Sequence, residues 1–312
     1  MAAGEPTQLI DPVDLSQHWL RQEHAPTPQQ AAVIGAPAGP TLVVAGAGAG
    51  KTETMAARVV WLVANGLALP EQVLGLTFTR KAARELGVRI RSRLQSLAAS
   101  GLFDSLPADD PRRRAVQAIT PTVATYDSYA GDIVREYGLL LPMEPAGRII
   151  TDTERWMIAR DVVLSRTEGF TTRRSVTSII DDMLDLNDGM DNHLASADDV
   201  AGECRATAAE IDGLPDRDGK ALKGVDGRLT AIGDALTYRR ELLAVVTEYR
   251  ARLAEMNLLT FGQQMSKAAQ LVDAHPEVGA AQRRRFRVVM LDEYQDTGHA
   301  QRVRLPGLFR DG

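Results

Sequence analysis

One cysteine in 312 residues, Cys204, is too few for an internal disulfide, and a four-cysteine zinc or iron–sulfur site cannot be built from it. Long hydrophobic runs are missing as well. No stretch approaches the roughly 18 uninterrupted apolar residues of a membrane-spanning helix, and the N-terminus has no basic region followed by an apolar one. A positive balance is lacking too: 36 basic residues stand against 41 acidic ones, for a formal net charge of −5. Any nucleic-acid binding must therefore come from a local groove and not from a generally basic surface. No internal repeat or low-complexity tract is evident. These absences set the expectation of a soluble, cytoplasmic protein with no membrane partner. The length suffices to bury a sizeable core in one large or two ordinary domains.

What is present is concentrated in two places. Thr41 to Ala45 (TLVVA) is a short apolar, β-branched run that reads as a buried strand, and Thr52 to Gly66 has helical periodicity through Met55, Val59, Val60 and Val63. The segment between them, Ala45-Gly46-Ala47-Gly48-Ala49-Gly50-Lys51-Thr52, is then a strand-to-helix loop. Gly46, Gly48 and Gly50 carry no Cβ, so the loop can bring successive backbone N–H groups against phosphate oxygens. The helix that follows adds its positive end, worth roughly 0.3–1 kcal/mol per nearby charge. In such a P-loop Lys51 meets the β- and γ-phosphates and the Thr52 hydroxyl binds Mg²⁺. Ala45 stands where the strict pattern has its first glycine, and its small side chain leaves room for the cradle.

The second place is Asp292-Glu293-Tyr294-Gln295-Asp296-Thr297, after the apolar run from Phe286 to Leu291 that reads as another buried strand. In a P-loop enzyme Asp292 would hold the Mg²⁺ and Glu293 would orient and deprotonate the attacking water. Gln295 places an amide where it can sense the γ-phosphate or face DNA. A solvated acidic loop is the plainer reading of the acidic pair taken alone.

Between these motifs the pattern changes. Strands are readable at about 41–45, 73–77, 122–125 and 286–291 with helices between the first three, which predicts an α/β fold with a parallel sheet covered on both faces. From Asp127 to about Ala281 the periods are helical, as in Thr153 to Leu164, Val176 to Leu186, Val200 to Ile211 and Leu229 to Met256. A helical subdomain inserted in the sheet domain is the expectation, with an exposed loop at Gly213 to Lys220.

The segments AGAGAGKT at 45–52, LTFTRKAA at 76–83 and DEYQDT at 292–297 resemble motifs I, Ia and II of superfamily 1A DNA helicases, the UvrD/Rep/PcrA and RecB-like group. The wording VVAGAGAGKTETMAARVVWLVANG and FRVVMLDEYQDTGHAQR is most similar to the B subunit of the actinobacterial Adn-type helicase–nucleases. The resemblance covers 26–310 and is weakest between about 165 and 245. It implies a RecA-like domain 1A with a 1B-like helical insertion: an N-terminal extension at 1–25, the first part of the RecA-like domain at 26–127, the insertion at 128–258 and the return at 259–312.

The same resemblance implies residue roles. Pro26 to Val33 is similar to the Q motif, so Gln30 would read the adenine edge and favour ATP over GTP. Phe78, Thr79, Arg80 and Lys81 match motif Ia and would hold single-stranded DNA by stacking and phosphate contact, with Tyr126 in a third DNA-contacting segment. Asp127 stands where the family has histidine, and Glu53 where many relatives have arginine, so no contact is carried over to either. Apart from the resemblance, Phe78 and Tyr126 at strand ends read as core or rim residues, with core favoured. The basic stretch Lys81, Arg84, Arg89, Arg91 and Arg93 can face phosphates, but solvent is the favoured reading for all but its first turn. The sequence ends at Gly312, about one helix past the second motif, which sets the expectation of the N-terminal motor half of an ATP-dependent 3′–5′ helicase of DNA repair or recombination. Its partners would be single-stranded or partly duplex DNA and a helicase or nuclease subunit supplying the second motor domain. A non-catalytic ATP- and DNA-binding module and a decayed fragment are the alternatives.

Overall fold

The computed structural model describes residues 9–107, 109–118, 121–141, 147–214 and 227–309. Five strands are formed among the described residues: β1 Val73–Thr77, β2 Thr122–Thr125, β3 Arg148–Ile149, β4 Leu258–Leu259 and β5 Val288–Leu291. The helices are α1 Pro12–Asp14, α2 Pro28–Ile34, α3 Lys51–Ala64, α4 Arg80–Ala99, α5 Pro111–Ala118, α6 Tyr126–Tyr137 and α7 Asp152–Ser165. They continue as α8 Val176–His193, α9 Ala197–Asp212, α10 Gly227–Glu255, α11 Phe261–Ala274, α12 Pro276–Arg285 and α13 His299–Phe309. The chain divides into two compact units, one of 1–129, 276–297 and 308–312, the other of 130–275 and 298–307.

The first unit is built on a three-stranded parallel sheet in the order β2–β1–β5. β1 is central, and all five of its residues are buried, as expected of a strand covered on both faces. α4 follows β1 directly. Thr79 caps it by accepting from the Ala82 N–H, and Ala83, Leu86, Ile90, Leu94 and Leu97 recur at helical spacing on its buried side. They share a core with Val59, Val60 and Val63 of α3. The segment before α2 packs on this core as well: the Trp61 indole donates to the Ile10 carbonyl at 2.6 Å, and the Asn65 side chain accepts from the Ile10 N–H at 2.7 Å. Three arginines, Arg283–Arg285, fill the last turn of α12, where cations complement the helix dipole.

One expected strand does not form. Residues 41–45 join no ladder, and Leu42 and Val44 are 81% and 87% exposed. An apolar, β-branched run reports a preference for a pleated, buried surface, but a strand also needs a neighbouring edge for its backbone. Here the segment is laddered to neither outer edge of the described β2–β1–β5 sheet.

The second unit is helical, with one two-residue parallel pair, β3–β4. α7, α8 and α10 bury Val162, Ile180, Met183, Val246 and Tyr249 against one another. Within that packing Asp191 is 4% exposed and accepts from Arg250 Nη2 at 2.7 Å and from the Asn187 amide at 3.3 Å. Burial raises its pKa to about 6 despite the guanidinium beside it. The turn expected at 213–220 lies outside the described residues from 215 onward.

Candidate nucleotide site and nucleic-acid face

The glycine-rich loop turns between Gly46 and Ala49 and runs into α3 at Lys51. Gly48 and Gly50 have φ of +77° and +80°, a region open to glycine at no steric cost. A Cβ at Gly46 or Gly48 would meet nothing within 4 Å, so the space beside the loop is open there. At Gly50 a Cβ would lie 2.9 Å from Gln30 Nε2. The N-cap of α3 receives no side-chain hydrogen bond, which leaves its first-turn N–H groups to an external acceptor. Lys51 curls back over the loop, with Nζ donating to the carbonyls of Ala45 at 3.2 Å and Gly46 at 3.5 Å. Thr52 is half-buried in the first turn.

Gln30 is tied at both ends of its amide. Its oxygen accepts from the Thr27 N–H at 3.0 Å in the capping box of α2, and its nitrogen donates to the Ala49 carbonyl at 3.2 Å. The side chain thus links the loop to α2.

Asp292 ends β5, 8% exposed, with its N–H donating to the Leu76 carbonyl at 2.8 Å. Burial, and then the neighbouring Glu293 carboxylate, raise its pKa, while the Lys51 charge pulls the other way. The P-loop lysine and the acid of the second motif therefore feel each other across the site. Glu293 is exposed with φ of +51°, an uncommon conformation for a residue with a side chain, and its carboxylate accepts from Gln295 Nε2 at 2.5 Å. Gln295 thus contacts Glu293.

Phe78 is half-buried at the end of β1, and Thr79, Arg80 and Lys81 are exposed at the start of α4. Tyr126 corrects the sequence-based expectation of a DNA contact. It is 1% exposed, its ring lies 4.8 Å from that of Phe78, and its hydroxyl donates to the Asp292 carbonyl at 3.1 Å. A ring so enclosed cannot stack on a base; it supports Phe78 and the backbone of the second motif.

Sequence reasoning missed Glu53. Its carboxylate pairs with Arg89 at 2.5 Å and with Arg93, so the helix that begins at the P-loop is tied to the one that begins at Arg80. No local signal marks this contact, because its partners lie 36 and 40 residues away.

Among the described residues there is no cluster of three or more histidine, cysteine or acidic side chains able to hold a metal ion alone. Magnesium does not need one, since it keeps waters and takes one or two protein ligands together with phosphate oxygens. Thr52 and Asp292, with an open loop beside them, fit that demand.

An α/β fold with a parallel sheet, a glycine loop at a helix start and an acidic strand tip is consistent with the N-terminal domain of a helicase motor. The sequence pattern of the UvrD/REP helicase N-terminal domain matches residues 26–311, and the chain belongs to that family. It is 26% identical over 292 residues to the "ATP-dependent DNA helicase UvrD1" of Mycobacterium leprae, covering 91% of this chain and 30% of the relative. To the "ATP-dependent DNA helicase UvrD2" of Mycobacterium bovis it is 31% identical over 285 residues, covering 88% and 33%. To the "Probable DNA helicase II homolog" of Rickettsia felis it is 25% identical over 280 residues, covering 89% and 34%. The chain spans about a third of the length of these relatives.

Proposed function

We propose that this chain is the ATP-binding N-terminal motor half of a UvrD-like 3′–5′ DNA helicase acting in DNA repair or recombination. The observation that carries the reading is the convergence of an uncapped α3 N-terminus, a curled-back Lys51 and a buried Asp292 within a chain of the UvrD/REP family. In this reading the loop amides from Gly46 to Gly50 cradle the phosphates and Lys51 leaves its two carbonyl partners for the β/γ-phosphate oxygens. Thr52 and Asp292 would hold Mg²⁺, which when bound neutralises phosphate charge. Glu293 takes the proton of the attacking water, and Gln295 fixes the orientation of that carboxylate. Gln30 selects adenine after releasing the loop. Phe78, Thr79, Arg80 and Lys81 hold single-stranded DNA, by one aromatic face and a pair of exposed cations.

The domain assignment follows the same reading, with residues 128–258 as the 1B-like insertion. The motif wording at 43–66 and 286–302 is the ground for placing the chain with the RecB-like, Adn-type branch. A second motor domain, from the same polypeptide or a helicase or nuclease subunit, would supply the arginine finger, worth on the order of 10³–10⁵ in turnover.

Nucleotide affinity measured with and without Mg²⁺ tests the site. Lys51→Ala is expected to weaken ATP binding at least tenfold, while Glu293→Gln leaves affinity intact and abolishes hydrolysis supported by the second domain. Unchanged affinity in Lys51→Ala would sink the P-loop assignment. The helicase reading requires that single-stranded DNA stimulate ATPase activity once the second domain is supplied.

A further inference from the structure

α4 carries six cations, Arg80, Lys81, Arg84, Arg89, Arg91 and Arg93, against one carboxylate, Glu85, in a chain where acidic residues outnumber basic ones. The excess is therefore local to this helix and does not reflect composition. Two of the six share one counter-charge: Arg89 and Arg93 both pair with the Glu53 carboxylate of α3, which offsets one of their two charges. Arg84 and Arg91 are exposed, and neither makes an ion pair among the described residues. Lys81, whose side chain is 87% exposed, faces Glu85 at 3.9 Å. An open surface groove on this helix is lined by Lys81, Arg84, Val88 and Ser92 together with Glu85 and the paired Arg89 and Arg93, and Arg91 lies beside it.

Spacing turns these residues into a track. Arg84 and Arg91 are seven residues apart, so they lie within about 20° of each other around the helix and about 10.5 Å apart along it. That is roughly the rise of three nucleotides in a B-like strand. Lys81 extends the row by one turn, to the segment at Phe78–Lys81.

We propose that the outer face of α4, through Arg84 and Arg91, is a second binding surface for the nucleic-acid backbone, continuing the path that begins at Phe78–Lys81. It rests on the reading of that segment as a DNA contact. Phosphates lie along the Lys81–Arg84–Arg91 row, with Val88 and Ser92 beneath the sugar edge. Glu85, the one carboxylate within α4, opposes them. The contact is to the backbone and carries no sequence preference.

The test is binding of a fluorescent oligothymidylate to the full chain as a function of salt, with helicity checked by circular dichroism. Removing two phosphate contacts from single-stranded DNA lowers the slope of log K against log salt by about 1.4. The Arg84→Ala/Arg91→Ala variant is expected to show that reduction. Glu85→Gln is expected to bind about threefold more tightly at low salt, a gain that unfolding cannot mimic. If the parent chain binds and the double variant keeps its slope, or Glu85→Gln gains nothing, the α4 track is wrong while the DNA reading stands. If the parent chain fails to bind at all, both fall.

Discussion

Asp292 sits in the tip of β5 as a carboxylate that burial and Glu293 both discourage from ionising. Its raised pKa has two consequences of defined sign. The folded chain holds this proton to higher pH than the unfolded chain does, so ionising it costs stability as pH rises through the interval between the two pKa values. Binding a divalent ion needs the ionised form, so Mg²⁺-dependent nucleotide affinity is expected to fall, on acidification, at a pH above the ordinary aspartate range. Titrating affinity against pH in Mg²⁺ checks this. Asp292→Asn is expected to flatten the Mg²⁺-dependent part while raising the melting temperature at neutral pH. A variant less stable than the parent at pH 7 would show that the carboxylate is a net structural asset.

At the scale of elements, the Tyr126 hydroxyl joins the residue that opens α6 to the one that follows β5. Tyr126→Phe keeps the ring against Phe78 and removes the bond to the Asp292 carbonyl, which is expected to cost about 0.5–1.5 kcal/mol in urea denaturation. Tyr126→Ala also opens a cavity and is expected to cost about 3–5 kcal/mol, in line with aromatic truncations in cores. The contrast also shows what the sequence could reveal. β1 and β2 were legible to the residue, and α3 nearly so, because their periodicity is local, while α4 was read only as a helix between strands. The glycine-rich turn before α3 and the acidic pair after β5 were legible as positions because each is written in consecutive residues. Tyr126 was not, since its burial depends on a partner 166 positions away. Segment 41–45 misled for the related reason that composition states a preference but cannot supply the edge that satisfies it.

Across the molecule, titration should be felt in the helical unit as well as at the candidate site. Asp191 has a pKa of about 6 because burial outweighs the attraction of Arg250. A raised carboxylate pKa means the native state binds more protons than the unfolded state between about 4 and 6, so this residue adds stability as pH falls through that window. The difference in unfolding free energy between the parent and Asp191→Asn is expected to vary with pH there and to be level above about pH 7. A flat difference throughout would mean that Asp191 is ionised in the folded chain at an ordinary pKa.

The open segment at 41–45 also bears on how the protein behaves in concentrated solution. Leu42 and Val44 lie on a backbone without ladder partners, and the run is bounded by Pro40 on one side and Gly46 on the other. Exposed β-prone runs of this kind template intermolecular pairing, and proline and glycine at their borders act as gatekeepers that shorten the sticky stretch. The residues leading into the glycine-rich loop therefore expose a β-prone stretch through which one copy of the chain can adhere to another. Pro40 and Gly46 restrain that tendency by confining it to five residues.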